Sequence, residues 1–163
     1  MEMDCGFLQG NNWFRFRAAA IIVEEGAVLF AGNEHEDYLY SVGGGVHVGE
    51  TTEDAVMREV FEETGVRYEV DRLAVVHENF FYGHGGEWEG LLCHEICFYY
   101  LMKPRGERVY GSHGVTHGVV EELHWIDIDK LGETRAFPSF MADYLARMPE
   151  GIEHIVTDEC KRG

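Results

Sequence analysis

At 163 residues, with 45% hydrophobic and 26% charged residues, the chain has the size and balance of one globular domain able to bury its own core. Its formal charge of −17 excludes duplex nucleic acid and anionic membrane as partners, because both require a basic surface. In chain order, Phe14 to Val23 and Ala27 to Ala31 are expected as strands around a Glu24-Glu25-Gly26 turn, and Tyr38 to Val42 as a third. A glycine-rich stretch from Val42 to Glu50 then leads to Thr51, a good N-cap, and a helical pattern runs from there to a stop at Gly65. Tyr68 to Tyr82 and Leu91 to Met102 predict long strands flanking a Gly83-His84-Gly85-Gly86 hairpin, and Glu122 to Ile126 closes the sheet. A second helix from Pro138 to Arg147 and a short strand over Glu153 to Thr157 complete an α/β order.

The acidic start Met1-Glu2-Met3-Asp4-Cys5 does not resemble a signal peptide. The longest apolar run, Ala18 to Val23, is too short to span a bilayer, so a cytoplasmic protein is expected. Cys5, Cys93, Cys97 and Cys160 show no paired spacing, and free thiols are the expectation. His113-x3-His117 and Cys93-His94 offer no recognisable tetrahedral zinc set.

On the central helix, Val56, Met57, Val60 and Phe61 fall on one side at about 100° per residue, whereas Glu59, Glu62 and Glu63 gather on the other. Like charges three and four residues apart cost about 0.2–0.5 kcal/mol per pair unless a cation offsets them. Hard oxygen ligands suit Mg²⁺, with Mn²⁺ as the substitute. Arg58 is expected to pair with Glu62 one turn on and orient it. Gly44, Glu50, Arg58, Glu59, Val60, Glu62, Glu63, Gly65 and Val66 together satisfy the spacing G-x5-E-x7-R-E-U-x-E-E-x-G-U, where U is aliphatic.

That pattern resembles the signature box of the Nudix (MutT-type) hydrolases. The resemblance implies an α/β sandwich with a mixed β-sheet between helices, one domain over residues 1–163 with its core at about 14–147. It also implies metal-dependent cleavage of a diphosphate linkage in a nucleoside triphosphate or nucleoside diphosphate derivative. Carried over by position, Glu59, Glu62 and Glu63 match metal-binding and base-forming glutamates, and the Gly43 carbonyl matches a backbone metal ligand. Arg58 matches the orienting arginine, Glu50 a supporting acid, and Gly44 and Gly45 lie beside the substrate. Two positions depart from the usual loop, where Val42 stands for proline and His47 for an acid. The implied partner is a small-molecule nucleotide, with no nucleic acid polymer and no membrane; a homodimer is left open. The alternative is a nucleotide-binding regulatory module of the same fold without turnover.

Outside the box, Arg15 and Arg17 share a strand face, and Arg17 is a candidate phosphate contact beside the blander reading of a polar outer face. Glu95 lies in an apolar run, so its charge needs a metal, a cation or a wet cleft; an arginine pair is the equal alternative. Glu121 and Glu122 rank behind it, because a loop-end acid can stay solvated. Phe80, Phe81, Tyr82, Trp88, Phe98, Tyr99 and Tyr100 are expected mostly to pack rather than to stack on a base. The Lys103 to Val119 segment is expected as a long loop.

Overall fold

The computed structural model describes residues 2–110, 114–116 and 119–160. Two six-stranded sheets form the body, where the sequence suggested one. The first contains β1 (Gly6–Gln9), β2 (Asn12–Ile21), β8 (Leu92–Met102), β7 (Val70–Tyr82) and β12 (Glu153–Asp158) in that order, with β6 (Gly43–Gly45) also on β2. The second runs β11 (Ala136–Phe137), β5 (Leu39–Ser41), β4 (Ala27–Gly32), β10 (Val119–Asp127) and β9 (Gly114–Thr116), with β3 (Val23–Glu24) on β4. Both are mixed: β2 with β8, β7 with β12 and β5 with β11 are parallel pairs, the rest antiparallel.

The expected first strand breaks at Ile22, so that β2 stays in the first sheet and β3 crosses to the second. It turns there at Glu25 and Gly26, both with positive φ, to pair with β4. Pairing also explains the later second helix. Ala136 and Phe137 are held extended against Leu39 and Tyr40, so α2 starts at Met141 rather than Pro138 and ends at Arg147. The expected hairpin joins β7 and β8, antiparallel with Tyr82 opposite Leu92, and its connection holds a 3₁₀ turn at Gly86–Trp88.

Helix α1 (Thr52–Thr64) has the caps expected of it. Thr51 Oγ1 accepts from the Asp54 N–H at 3.0 Å, and Gly65 takes φ 73°. Its packed face is rotated from the expected one. Val56, Val60 and Glu63 lie within about 60° of one another and are buried, while Phe61, some 100° beyond Val60, is exposed beneath the Arg67 guanidinium. Alternation along β2 sets the two layers. Ala18 and Ala20 pack with Val56 and Val60 of α1, while Ala19 and Ile21 pack with Met141, Tyr144 and Leu145 of α2, so the helices cover opposite faces. None of the described helices is long and apolar enough to cross a membrane.

His77, on the α2 side, is buried with its Nε2 at 2.8 Å from Thr157 Oγ1 and its ring edge-on to Phe140. Burial lowers its pKa, against a smaller upward pull from Glu95. The unfolded chain therefore binds more protons below about pH 6.5; this stabilisation is complete above that pH and is lost as pH falls toward the lowered folded value. Thermal melts at pH 7.5 and 5.5 should show a drop in Tm that is smaller in His77→Gln; equal drops would exclude His77 as the cause.

Candidate active site

The glycine run takes an extended form because it pairs with β2: Gly43 lies opposite Ala19, Gly44 opposite Ala18 and Gly45 opposite Arg17. A Cβ at Gly43 would strike the Ala18 carbonyl and the Ala19 Cα, so a side chain is excluded there on packing grounds, whereas one at Gly44 would push aside the Glu59 carboxylate.

Arg58 joins loop to helix. Its Nε and Nη2 donate to both Glu50 oxygens at 2.8 and 3.0 Å, Nη2 also donates to the Gly45 carbonyl at 3.0 Å, and Nη1 donates to Glu59 at 2.8 Å. Glu62, the partner expected from helix spacing, is exposed and only at 3.4 Å. The fork geometry of a guanidinium suits the bidentate carboxylate better than a pair one turn away. The hydrogen bond from Arg58 drives the Glu50 pKa down to about 2, with the His47 N–H adding to it. Arg58 in turn is held firmly charged by Glu50.

Glu63 is buried, and its Oε2 accepts from the Gly43 N–H at 2.9 Å. Burial raises its pKa well above the usual range, and the neighbouring Glu121 carboxyl raises it further. Glu121 is itself buried. Tyr40 Oη, which accepts from Asn33, donates to Glu121 Oε1 at 3.3 Å, while Oε2 is buried without a hydrogen-bond partner. Burial likewise raises the pKa of Glu59. Two buried carboxyls side by side, one with an orphan oxygen, call for a proton or a cation between them.

A NUDIX domain model matches residues 14–148. The chain belongs to the Nudix family. Within it, a MutT-like protein of Streptomyces ambofaciens is 42% identical over 62 residues, a match spanning 37% of this chain and 40% of that relative. Two solved structures share the fold: a MutT protein of Bacillus halodurans, with TM-score 0.63, 18% identity and coverage of 89% of this chain and 91% of that one, and a MutT protein of Methanosarcina mazei, with TM-score 0.61, 19% identity and coverage of 85% and 95%.

Gly43 and the Nudix box residues Gly44, Arg58, Glu59 and Glu63 meet at one place, with Glu50 and Gly45 behind Arg58 and Glu62 at the solvent edge. No three His, Cys, Asp or Glu side chains among the described residues form a ready-made metal cage. The donors present are nonetheless hard carboxylate oxygens, one of them unsatisfied, and Mg²⁺ characteristically completes its shell with water and substrate oxygens rather than with protein alone.

Glu95 has a different environment. It is 3% exposed, with Arg15 Nε at 2.5 Å and Arg17 Nη1 at 3.7 Å, so it has the arginine partners that the sequence weighed against a metal. Burial disfavours its charge, but Arg15 and Arg17 outweigh that and keep its pKa low. The polar-outer-face alternative for the arginines does not hold, since both turn to a buried acid. Glu121 is the residue whose rank changes. It lies inside β10 rather than at a loop end, and its pairing across the sheet could not be seen in local sequence. Tyr40, its donor, carried no signal at all.

The aromatic residues mostly pack: Tyr99 and Tyr100 are buried, Phe80 lies against His94, and Trp88 stacks on Trp13 with centroids 4.1 Å apart. All four cysteines are unpaired. The start of the long loop is tied down by Glu24, whose carboxylate accepts from the Arg105 and Gly106 N–H groups; His113 and His117 lie outside the described residues.

Proposed function

We propose that the chain is a Mg²⁺- or Mn²⁺-dependent pyrophosphohydrolase that cleaves the diphosphate linkage of a nucleoside triphosphate or nucleoside diphosphate derivative. The observation that carries this is the buried Glu63–Glu121 pair beside Gly43 and Glu59, an arrangement stable at neutral pH only with a cation or a shared proton. Glu59, Glu63, the Gly43 carbonyl and Glu121 would hold the ion, with Glu62 at the rim. When bound, the divalent ion supplies charge neutralisation to the diphosphate oxygens and acidity to a nearby water.

The chain's own groups do the rest. Glu63 or Glu121 accepts a proton at a carboxylate oxygen from the attacking water, and burial, by raising the pKa of Glu63, makes it a stronger base once ionised. Arg58 fixes Glu59 and the loop, with Glu50 locking its orientation. Arg17, held charged by Glu95 despite burial, provides a cation toward the substrate phosphates next to Gly44 and Gly45.

The test is a panel of nucleoside triphosphates, nucleotide sugars and dinucleotides with Mg²⁺, followed by phosphate and pyrophosphate release. Turnover of at least one class, abolished by excess chelator and restored by added metal, is expected. Tight nucleotide binding with no turnover of any panel member would instead indicate a binding module.

A further inference from the structure

On the α2 side of the first sheet the cover stops part-way along the strands. α2 packs over Ala19, Val75 and Tyr99, and Phe140, just before it, stands edge-on to His77 and Tyr99 at 4.9 and 5.2 Å. One pleat beyond His77, the residues Arg15, Glu95, Asn79 and Thr157 stand side by side on β2, β8, β7 and β12. Glu95 is buried, whereas Arg15, Asn79 and Thr157 are only half-buried. After a further pleat the face ends at Phe81 and at Trp13, on which Trp88 stacks. These limits enclose a groove about 13 Å long, from His77 to Phe81, and about 14 Å wide across four strands.

The polar groups of this groove have unused hydrogen-bonding capacity. Among the described residues Asn79 makes no side-chain hydrogen bond, Arg15 donates only through Nε to Glu95, and Arg17 donates none, its Nη1 lying 3.7 Å from Glu95. Two guanidinium groups share one carboxylate, which leaves a surplus positive charge here in a chain of net charge −17. Such a pair suits phosphate oxygens. The planar amide of Asn79 suits an edge that carries a donor beside an acceptor, as every nucleobase has.

The order of these groups gives the ligand a direction. Arg17 lies opposite Gly45 of the loop; burial raises the pKa of Glu59 and Glu63 while the Arg17 charge pulls both back, so its guanidinium adjoins the box. Arg15 is one pleat further, about 7 Å, and Asn79 is two strands beyond Arg15. On the other side of the loop stand only acids, Asp4 beside Gly45 and Glu62 on the exposed edge of α1, with nothing to hold a second anionic group. Taking the box as a diphosphate site, as proposed above, we infer that this groove binds the nucleoside half of the substrate: Arg17 and Arg15 hold its phosphate, its base lies between Phe140 and Trp88, and Asn79 reads the base edge. The leaving half projects past Glu62 into solvent, so the enzyme selects by base and tolerates different leaving groups.

The experiment measures binding apart from turnover. Trp13 and Trp88 border the groove, so their fluorescence reports its occupancy when the protein, in excess chelator, is titrated with AMP, GMP, CMP, UMP and ribose 5-phosphate. At least one nucleotide should bind about tenfold or more tighter than ribose 5-phosphate, and Asn79→Leu should abolish that advantage without changing ribose 5-phosphate affinity. Asn79→Ser, smaller and still polar, decides the matter should Asn79→Leu melt low. In kinetics with Mg²⁺, a triphosphate and a diphosphate sugar of the preferred base should agree in kcat/KM within about tenfold, and a change of base should cost more than that. Equal binding of base-bearing and base-free phosphates overturns the inference, as does wild-type nucleotide affinity in both Asn79 variants or a kcat/KM that follows the leaving group. Base-selective binding lost in the Asn79 variants, with no turnover of any substrate, would instead sink the hydrolase reading and leave the groove standing.

Discussion

Replacing Glu63 by Gln should lower turnover by about 10²–10³-fold, equivalent to some 3–4 kcal/mol of barrier, while the metal-free protein melts at or above the wild-type temperature. The two halves of this expectation have one cause. Glu63 is buried against Glu121, so at neutral pH its charge is disfavoured by burial and then by its neighbour. A glutamine keeps an oxygen for the Gly43 N–H, 2.9 Å away in the native protein, and offers an amide N–H to the unsatisfied Glu121 Oε2. Repulsion becomes a hydrogen bond, and the fold gains. The ion site loses a charge and the chemistry loses a base, and the catalytic rate falls. Glu121→Gln should show the same opposition in weaker form. Steady-state kinetics on the best panel substrate, with melting in excess chelator, checks both. A Glu63→Gln protein of wild-type rate would remove Glu63 from the mechanism, and one that melts far below wild type would show the pair to be stabilising without metal.

Glu95→Ala should be the more damaging substitution to the fold. It leaves the guanidinium groups of Arg15 and Arg17 without their shared acid, and Arg17 is largely buried. Removing one partner of a buried ion pair costs about 3 kcal/mol or more, which for a chain of this size lowers Tm by roughly 6–12 °C. Glu95→Gln preserves shape and one acceptor, so it separates folding from function. If Glu95 acts by holding Arg17 toward the phosphates, KM should rise about tenfold while kcat stays within about twofold. A fall in kcat at unchanged KM would instead give Glu95 a role at the reacting atoms. Full activity at limiting Mg²⁺ with normal melting would take it out of the site altogether.

Much of the fold was legible because its signals are local. Thr51 and Gly65 bracket α1 by capping chemistry that needs no knowledge of the rest of the chain. Long alternating stretches such as Leu92 to Met102 announce strands, but alternation does not say which strands pair. The division into two sheets, the crossing at Ile22 and the short strands β1, β6, β9 and β11 all depend on partners elsewhere. Gly43–Gly45 has no strand propensity and is extended because β2 supplies its hydrogen bonds.

The site divides in the same way. The spacing from Gly44 to Val66 by itself determined the family and which glutamates share a helix, because one helix and the loop before it bring those residues together whatever surrounds them. Tertiary structure alone decided which acids face one another: Tyr40 reaches Glu121 across 81 residues and Arg15 reaches Glu95 across 80. It also gave Arg58 its closest contacts with Glu50 and Glu59 and left the expected Glu62 pair as a longer one, and rotated α1 so that Glu63 is buried while Phe61 is exposed. Sequence periodicity can define a helix face, but only the groups packed against that face determine which of its charges lose water, and the loss of water is what perturbs Glu63.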